Sequence, residues 1–440
     1  MIPARKKINI NNNIPGSGSS LSRFLVAGVV VIFLFSCKSG SGAKDKEAVK
    51  DSIAILKLPA PKPVPGPELA RIKHGCEQWY DSILKPGNFN GGILVAKNGN
   101  IVFERYNGTG HLGHTDTITA TTPIHIASVS KTFTAMAVLK LAQDGKLQLD
   151  DEFNKYFPTF NYPGVTIRNL LSHRSGLPNY LYFMDELGWD KTISIRNQDV
   201  LDQLINRKAE LKDISSPGTH FTYCNTNYAL LALLIEKISG ISYPQFLKKV
   251  FFIPLQMTNS FVFTPEDSAR INPSYDWRGT LIPINALDQV YGDKNIYTTP
   301  RDLLKWDRAL ATALIFKPEI MEQAYAPYSN ERPGIRNYGL GWRMNIYPDG
   351  KKLIYHNGWW HGNNAAFIRI IDEDATIIVM GNRFTRGVYK AKNLVAIFNP
   401  DLVTESEEET ESSKLSDSVQ VIGNKSIPIK KRQQRTGRPK

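Results

Sequence analysis

The feature that most constrains this chain is β-type sequence at both ends of a long segment whose middle is helical. Near the start, Gly91-Gly92-Ile93-Leu94-Val95-Ala96 and Ile101-Val102-Phe103-Glu104-Arg105-Tyr106 flank Lys97-Asn98-Gly99-Asn100, which predicts a hairpin closed by an Asn-Gly turn. β character returns over 338–346, 352–356, 364–371 and 376–380, and a helical pattern over 388–398 follows it. In between, 167–173, 198–205, 226–238, 244–251 and 301–313 have helical spacing. That order predicts an α/β fold of the α+β type: one largely antiparallel sheet, helices on its faces and a mostly helical subdomain beside it. The chain has no internal repeat.

One helical stretch combines this architecture with chemistry. From Ile124 to Asp144 there is no glycine and no interior proline, and Val129, Phe133, Met136, Ala137 and Leu141 recur at helical spacing before Gly145. Ser128 opens that helix and Lys131 follows three residues later, so the two side chains share a face. A serine hydroxyl needs a base to become a nucleophile, and a desolvated lysine amine is such a base. The same Ser-x-x-Lys spacing occurs at Ser41/Lys44 and Ser82/Lys85. The first lies in a Ser/Gly-rich linker and the second runs into Pro86, so neither has a helical setting. On the segment alone, a serine cap with a snorkelling lysine remains the structural alternative.

The termini read as something other than the fold. Arg5, Lys6, Lys7 and Arg23 precede an apolar run from Phe24 to Phe35 and then Ser36-Cys37, the plan of a signal peptide over residues 1–36. The run is short against the roughly 20 residues of a membrane-spanning helix. Leu34-Phe35-Ser36-Cys37 resembles a bacterial lipobox, which implies lipid attachment at Cys37, a membrane contact through that anchor and a place in the cell envelope. An uncleaved anchor or a plain secretory signal are the alternatives. Residues 37–69, with Pro59, Pro61, Pro63, Pro65 and Pro67 at every second position, read as an extended tether. Residues 70–400 are long enough for one large globular unit with its own core, and only Cys76 and Cys224 remain there, so no disulfide framework is expected. Residues 401–440 pair Glu405, Glu407, Glu408, Glu409 and Glu411 with a basic end, the pattern of a charge-segregated disordered tail. The formal charge of +13 includes Arg5, Lys6, Lys7 and Arg23 of the signal segment and seven basic residues among the last sixteen, and no nucleic-acid motif accompanies it.

Two other patterns carry no function. Gly108-Thr109-Gly110-His111-Leu112-Gly113 matches the dinucleotide-binding spacing, but His114-Thr115-Asp116-Thr117 is a poor helix start, so a loop is expected. His356 and His361 are five apart outside any metalloprotease motif, and no metal site is assigned to them.

Tyr223-Cys224-Asn225 stands before the 226–238 helix, and His356-Asn357-Gly358 ends a strand pattern. Singly, Asn225 reads as a helix cap, Tyr223 as a core aromatic and Gly358 as a turn residue. In order behind Ser128 and Lys131, they resemble the three signatures of the penicillin-recognising serine hydrolases: class C β-lactamases, D-alanyl-D-alanine carboxypeptidases, D-aminopeptidases and related esterases. The phrases Leu170 to Leu177, Pro254 to Met257 and Thr298 to Leu303 have the look of the same family, and the resemblance spans Phe89 to Phe398.

The resemblance implies a β-lactamase-like fold and an acyl-enzyme on Ser128. Lys131, with Tyr223, would take the serine proton, and Tyr223 would protonate the leaving group. Asn225 would orient the acyl part, and His356 and Gly358 would line the substrate site. The backbone N–H groups of Ser128 and Trp359 would form the oxyanion hole. No metal or organic cofactor is called for. His356 departs from the lysine of the third signature and replaces a permanent cation by a group charged only part of the time near neutral pH. A D-amino-acid peptide or amide, a β-lactam or a simple ester all remain as small-molecule or peptide substrates. Trp359 and Trp360 suggest an aromatic wall beside the acyl pocket, and Asn295, in what is elsewhere a glycine-rich turn, has no reading from sequence. The rival function is a catalytically silent envelope lipoprotein that binds peptidoglycan fragments or a protein partner on the same fold.

Overall fold

The computed structural model describes residues 53–331 and 333–402. The signal segment, Cys37 and the charged tail beyond 402 lie outside the described residues.

The end-to-end β pattern closes into one seven-stranded antiparallel sheet. Its order is Asn100–Asn107, Gly91–Lys97, Ala375–Gly381, Asn363–Ile370, Lys352–Trp360, Arg343–Ile346 and Arg336–Tyr338. An isolated hairpin is marginal in water, so the early pair depends on its long-range partner: Gly91 lies opposite Gly381 and Lys97 opposite Ala375. The hairpin turns at Asn98 (φ 55°) and Gly99 (φ 81°), two residues with positive φ, as the favoured two-residue turn requires.

Both faces of the sheet are covered, which explains why its central strands are nearly continuous apolar runs. On Gly91–Lys97, Leu94 and Ala96 enter the core on one face, and Ile93 and Val95 enter the core on the other. The second face is closed by a helix over Gly66–Trp79 and by the C-terminal helical turns Arg386–Leu394 and Val395–Phe398. The first face holds the helix Ser130–Gln143, in which every residue from Ser130 to Leu139 is buried. It runs through the core and stacks Phe133 on Trp306 at 4.4 Å. The helical lobe packs against it through Asn225–Ser239, on which Asn197–Asn206 and Tyr243–Leu247 pack in turn.

Three differences from the sequence reading have physical causes. Residues 53–65 have neither helix nor strand, as expected of the proline series, yet they lie along the domain. The Leu56 N–H donates to Pro254 O at 2.8 Å and the Lys62 N–H to Asn98 O at 3.0 Å, and Leu56 and Leu58 pack on the core, so this part is not a free spacer. The first helix starts at Gly66, inside the stretch read as tether, because Pro67 occupies a first-turn position where its missing N–H costs nothing. Ser128 does not sit in the α-helix proper: Ile124–His125 is a short strand, Ala127–Val129 a tight turn, and the α-helix begins at Ser130.

Candidate active site

The site gathers where the first turn of the buried helix meets the helical lobe and the Lys352–Trp360 strand. Lys131 is fully buried, and its ammonium donates to Ser128 Oγ at 2.9 Å, Asn225 Oδ1 at 2.8 Å and Asp293 O at 2.8 Å. Those acceptors use all three of its N–H donors. The three acceptors are neutral oxygens, so hydrogen bonds rather than a counter-ion offset the burial of this amine.

Ser128 is presented by local strain. Ala127, immediately before it, has φ 47°, a left-handed conformation that costs about 1–3 kcal/mol for a residue with a Cβ. The Ala127 N–H donates to His125 Nδ1 at 3.1 Å, which stabilises that turn. The strand carrying the third motif lies against it. A Cβ at Gly358 would sit 2.2 Å from Ile126 O and 3.1 Å from Ser128 N, so only glycine permits the approach. Trp359 follows Gly358 on the same strand, paired with Asn364.

Asn225 is the first residue of its helix and caps nothing; its carboxamide faces Lys131 instead. Tyr223 lies two residues before that helix, with the Lys131 ammonium 5.0 Å from its ring centroid. His173, from the Leu170 to Leu177 phrase, packs on the Tyr223 ring at 4.3 Å and accepts the Cys224 N–H at 3.1 Å, which fixes the Tyr-x-Asn segment. His173 has φ 57°, one more strained residue at this site.

His356 is buried at the end of the cluster. Its Nδ1 bonds the neighbouring Asn357 O at 2.7 Å, and Nε2 meets the Tyr338 hydroxyl at 3.3 Å. Burial first, then Arg343 and Lys131, push its pKa well below the ordinary histidine value, so the imidazole is neutral at pH 7. The permanent cation nearby is Arg343, whose guanidinium carbon lies 5.0 Å from the Tyr223 ring centroid and 5.9 Å from that of Tyr338. Arg343 has no motif signal, since it reaches the site from the neighbouring strand.

Trp360 is the last residue of the third-motif strand. Its Nε1 donates to Asp288 at 2.5 Å, and the Lys294 ammonium lies 4.7 Å from its ring centroid. Lys294 is itself buried, bonded to the Tyr180 hydroxyl and 3.6 Å from Asp293 Oδ2. Desolvation lowers the Lys294 pKa, against the raising effect of Asp293 and Asp288. Asn295 now has an account: with φ 78° it occupies a glycine-like backbone position, and its side chain bonds His125, Asp288 O and Val290 O. The Gly108 to Gly113 segment is turns and bends, with no helix after it. Among the described residues, no group of three or more His, Cys, Asp or Glu side chains is placed to hold a metal ion.

An antiparallel sheet with a buried Ser-x-x-Lys helix and a mostly helical lobe is the architecture of serine-acylating hydrolases of the penicillin-binding type. The family model described as Beta-lactamase matches residues 79–399, and the chain belongs to that family. It is 31% identical over 322 residues to penicillin-binding protein 4* of Bacillus subtilis (strain 168), covering 69% of this chain and 70% of that protein. Among solved structures, a penicillin binding protein from Bacillus halodurans superposes with a TM-score of 0.64 at 22% identity, over 72% of this chain and 97% of that one. A D-stereospecific amidohydrolase from Streptomyces sp. superposes with a TM-score of 0.58 at 19% identity, over 76% of this chain and 99% of that one. At those identities the two structures speak for the fold. Family membership makes the chain, at the coarse level, a serine hydrolase.

Proposed function

We propose that the protein hydrolyses an amide or ester through an acyl-enzyme on Ser128, with Lys131 as the base. The observation that supports this most is the Lys131 ammonium held 2.9 Å from Ser128 Oγ and fixed from two other sides by Asn225 and Asp293 O. In the neutral form Lys131 accepts the serine proton as Oγ attacks the carbonyl carbon. Tyr223, beside Lys131, passes a proton to the departing nitrogen or oxygen. The oxyanion is received by the Ser128 and Trp359 N–H groups, whose proximity follows from the contact of Gly358 with the Ser128 turn. Water then frees the acyl group and returns its proton through the same residues.

The neutral His356 bears on substrate. With a neutral His356 in place of lysine, the third motif itself offers a substrate carboxylate no cation and the permanent charge stands on Arg343 of the neighbouring strand; esters and D-amino-acid amides or peptides are the proposed class, ahead of β-lactams. The lipid anchor at Cys37 and an envelope location are part of the same proposal. Hydrolysis of p-nitrophenyl acetate, D-alanine p-nitroanilide and nitrocefin by the purified domain tests the assignment. Turnover of the first two above nitrocefin, lost in Lys131→Met, is the expected result. Equal turnover by wild type and Lys131→Met would overturn it.

A further inference from the structure

Asp288 is a buried carboxylate outside the three motifs, and it joins two parts of the site that are distant in sequence. Its carboxylate accepts the Asn285 N–H at 2.6 Å, the Trp360 indole N–H at 2.5 Å and His361 Nε2 at 3.0 Å. Trp360 and His361 form the corner that ends the third-motif strand, and His361 there has φ 52°. The main-chain oxygen of Asp288 accepts the Asn295 carboxamide N–H at 2.7 Å. Asn295 Oδ1 lies 3.2 Å from His125 Nε2, and His125 Nδ1 accepts the Ala127 N–H at 3.1 Å. The Asn295 main-chain N–H also lies 3.2 Å from His125 Nε2, so Asn295 meets this ring through both its backbone and its carboxamide. One residue therefore connects the strand corner after Trp359 to the strained turn before Ser128.

We propose that Asp288 is a positioning residue for the oxyanion site. It sets the separation of the Ser128 and Trp359 N–H groups by holding both backbone segments from one point. Burial raises the Asp288 pKa, but His361 and the hydrogen bonds outweigh that and hold it below the ordinary carboxylate value, so the acceptor persists at neutral pH. The Lys131 amine is bonded to Ser128 Oγ, Asn225 Oδ1 and Asp293 O rather than to Asp288, Asn295 or His125, so the contribution of this network is assigned to the tetrahedral intermediate. Donor position matters there because oxyanion stabilisation depends on preorganisation. This inference rests on the serine-acylation reading above.

The test separates binding from acylation in the full-length protein. Pre-steady-state p-nitrophenyl acetate kinetics give the substrate dissociation constant and the acylation rate constant, and phenylboronic acid, which forms a tetrahedral adduct on a reactive serine, reports the oxyanion site. Asp288→Asn is expected to slow acylation about tenfold and to weaken phenylboronic acid by a similar factor, with substrate dissociation within about twofold of wild type. Trp360→Phe, which removes one donor to the same carboxylate and keeps an aromatic ring, is expected to slow acylation and weaken phenylboronic acid about threefold. Unchanged acylation and boronate affinity in the folded variants, or a change in substrate dissociation alone, overturns the proposal. If Asp288→Asn does not fold, Trp360→Phe and His361→Gln decide by the same criteria. Wild type with neither burst nor boronate inhibition would sink the acylation reading, and this one with it. A wild-type burst with unaffected variants would sink this one alone.

Discussion

Replacing Gly358 by alanine tests how closely the third-motif strand must approach the nucleophile. The added Cβ would lie 2.2 Å from Ile126 O, whereas ordinary contact begins at about 3.4 Å, so one segment must retreat by about 1 Å. Both are backbone, Ile126 is pinned by its N–H to Ile296 O at 2.9 Å, and the strand is laddered to Asn363–Ile370, so neither yields cheaply. Overpacking of this sort costs about 1–3 kcal/mol of stability. The larger effect falls on rate, because the retreat moves the Trp359 N–H relative to Ser128. A misplacement of about 1 Å corresponds to a loss of about 100-fold in acylation. Stopped-flow acylation by p-nitrophenyl acetate, with urea unfolding on the same preparation, measures both. A folded Gly358→Ala variant acylating within about threefold of wild type would refute the account of the oxyanion site.

Asn225→Ala removes one of the three acceptors of a buried ammonium; a loss of about tenfold in kcat/KM and of about 1–3 kcal/mol in urea unfolding is expected. His125 is buried and its pKa is lowered to about 4 by desolvation, with Asn295 and Asp288 opposing, and His173 and His356 are lowered well below the ordinary value. The unfolded chain therefore binds more protons than the folded one below about pH 6.5, so the stability these residues contribute is present above that pH and is lost as pH falls. For His125 alone the loss between pH 7 and pH 4 is about 3 kcal/mol. Urea titrations at pH 7.5, 6 and 5 should show falling stability, with a shallower slope in His125→Gln; an unaltered slope would count against the buried neutral assignment.

Local chemistry was legible in the sequence, and convergence was not. The Asn98-Gly99 turn, the buried Ser130–Gln143 helix and the end-to-end β pattern are readable because turn chemistry and periodicity act over a few residues. The helix Gly66–Trp79 is hidden because Pro67, two glycines and its charges obscure a short apolar stripe of Ile72, Cys76 and Trp79. At the site, Ser128, Lys131, Tyr223, Asn225, His356 and Gly358 stand in compact motifs. His125 and Asn295 meet across 170 residues, and Arg343 and Asp288 arrive from other strands and turns, so no spacing announces them. The same holds for Asn295, whose φ of 78° becomes intelligible only once its three side-chain partners are seen.

The most direct test of the central claim is the mass of the intact protein after reaction with a fluorophosphonate, followed by peptide mapping. One adduct per chain on the peptide containing Ser128, absent from Ser128→Ala, is the predicted result. An unlabelled wild type, or a Ser128→Ala variant labelled as fully as wild type, would contradict it.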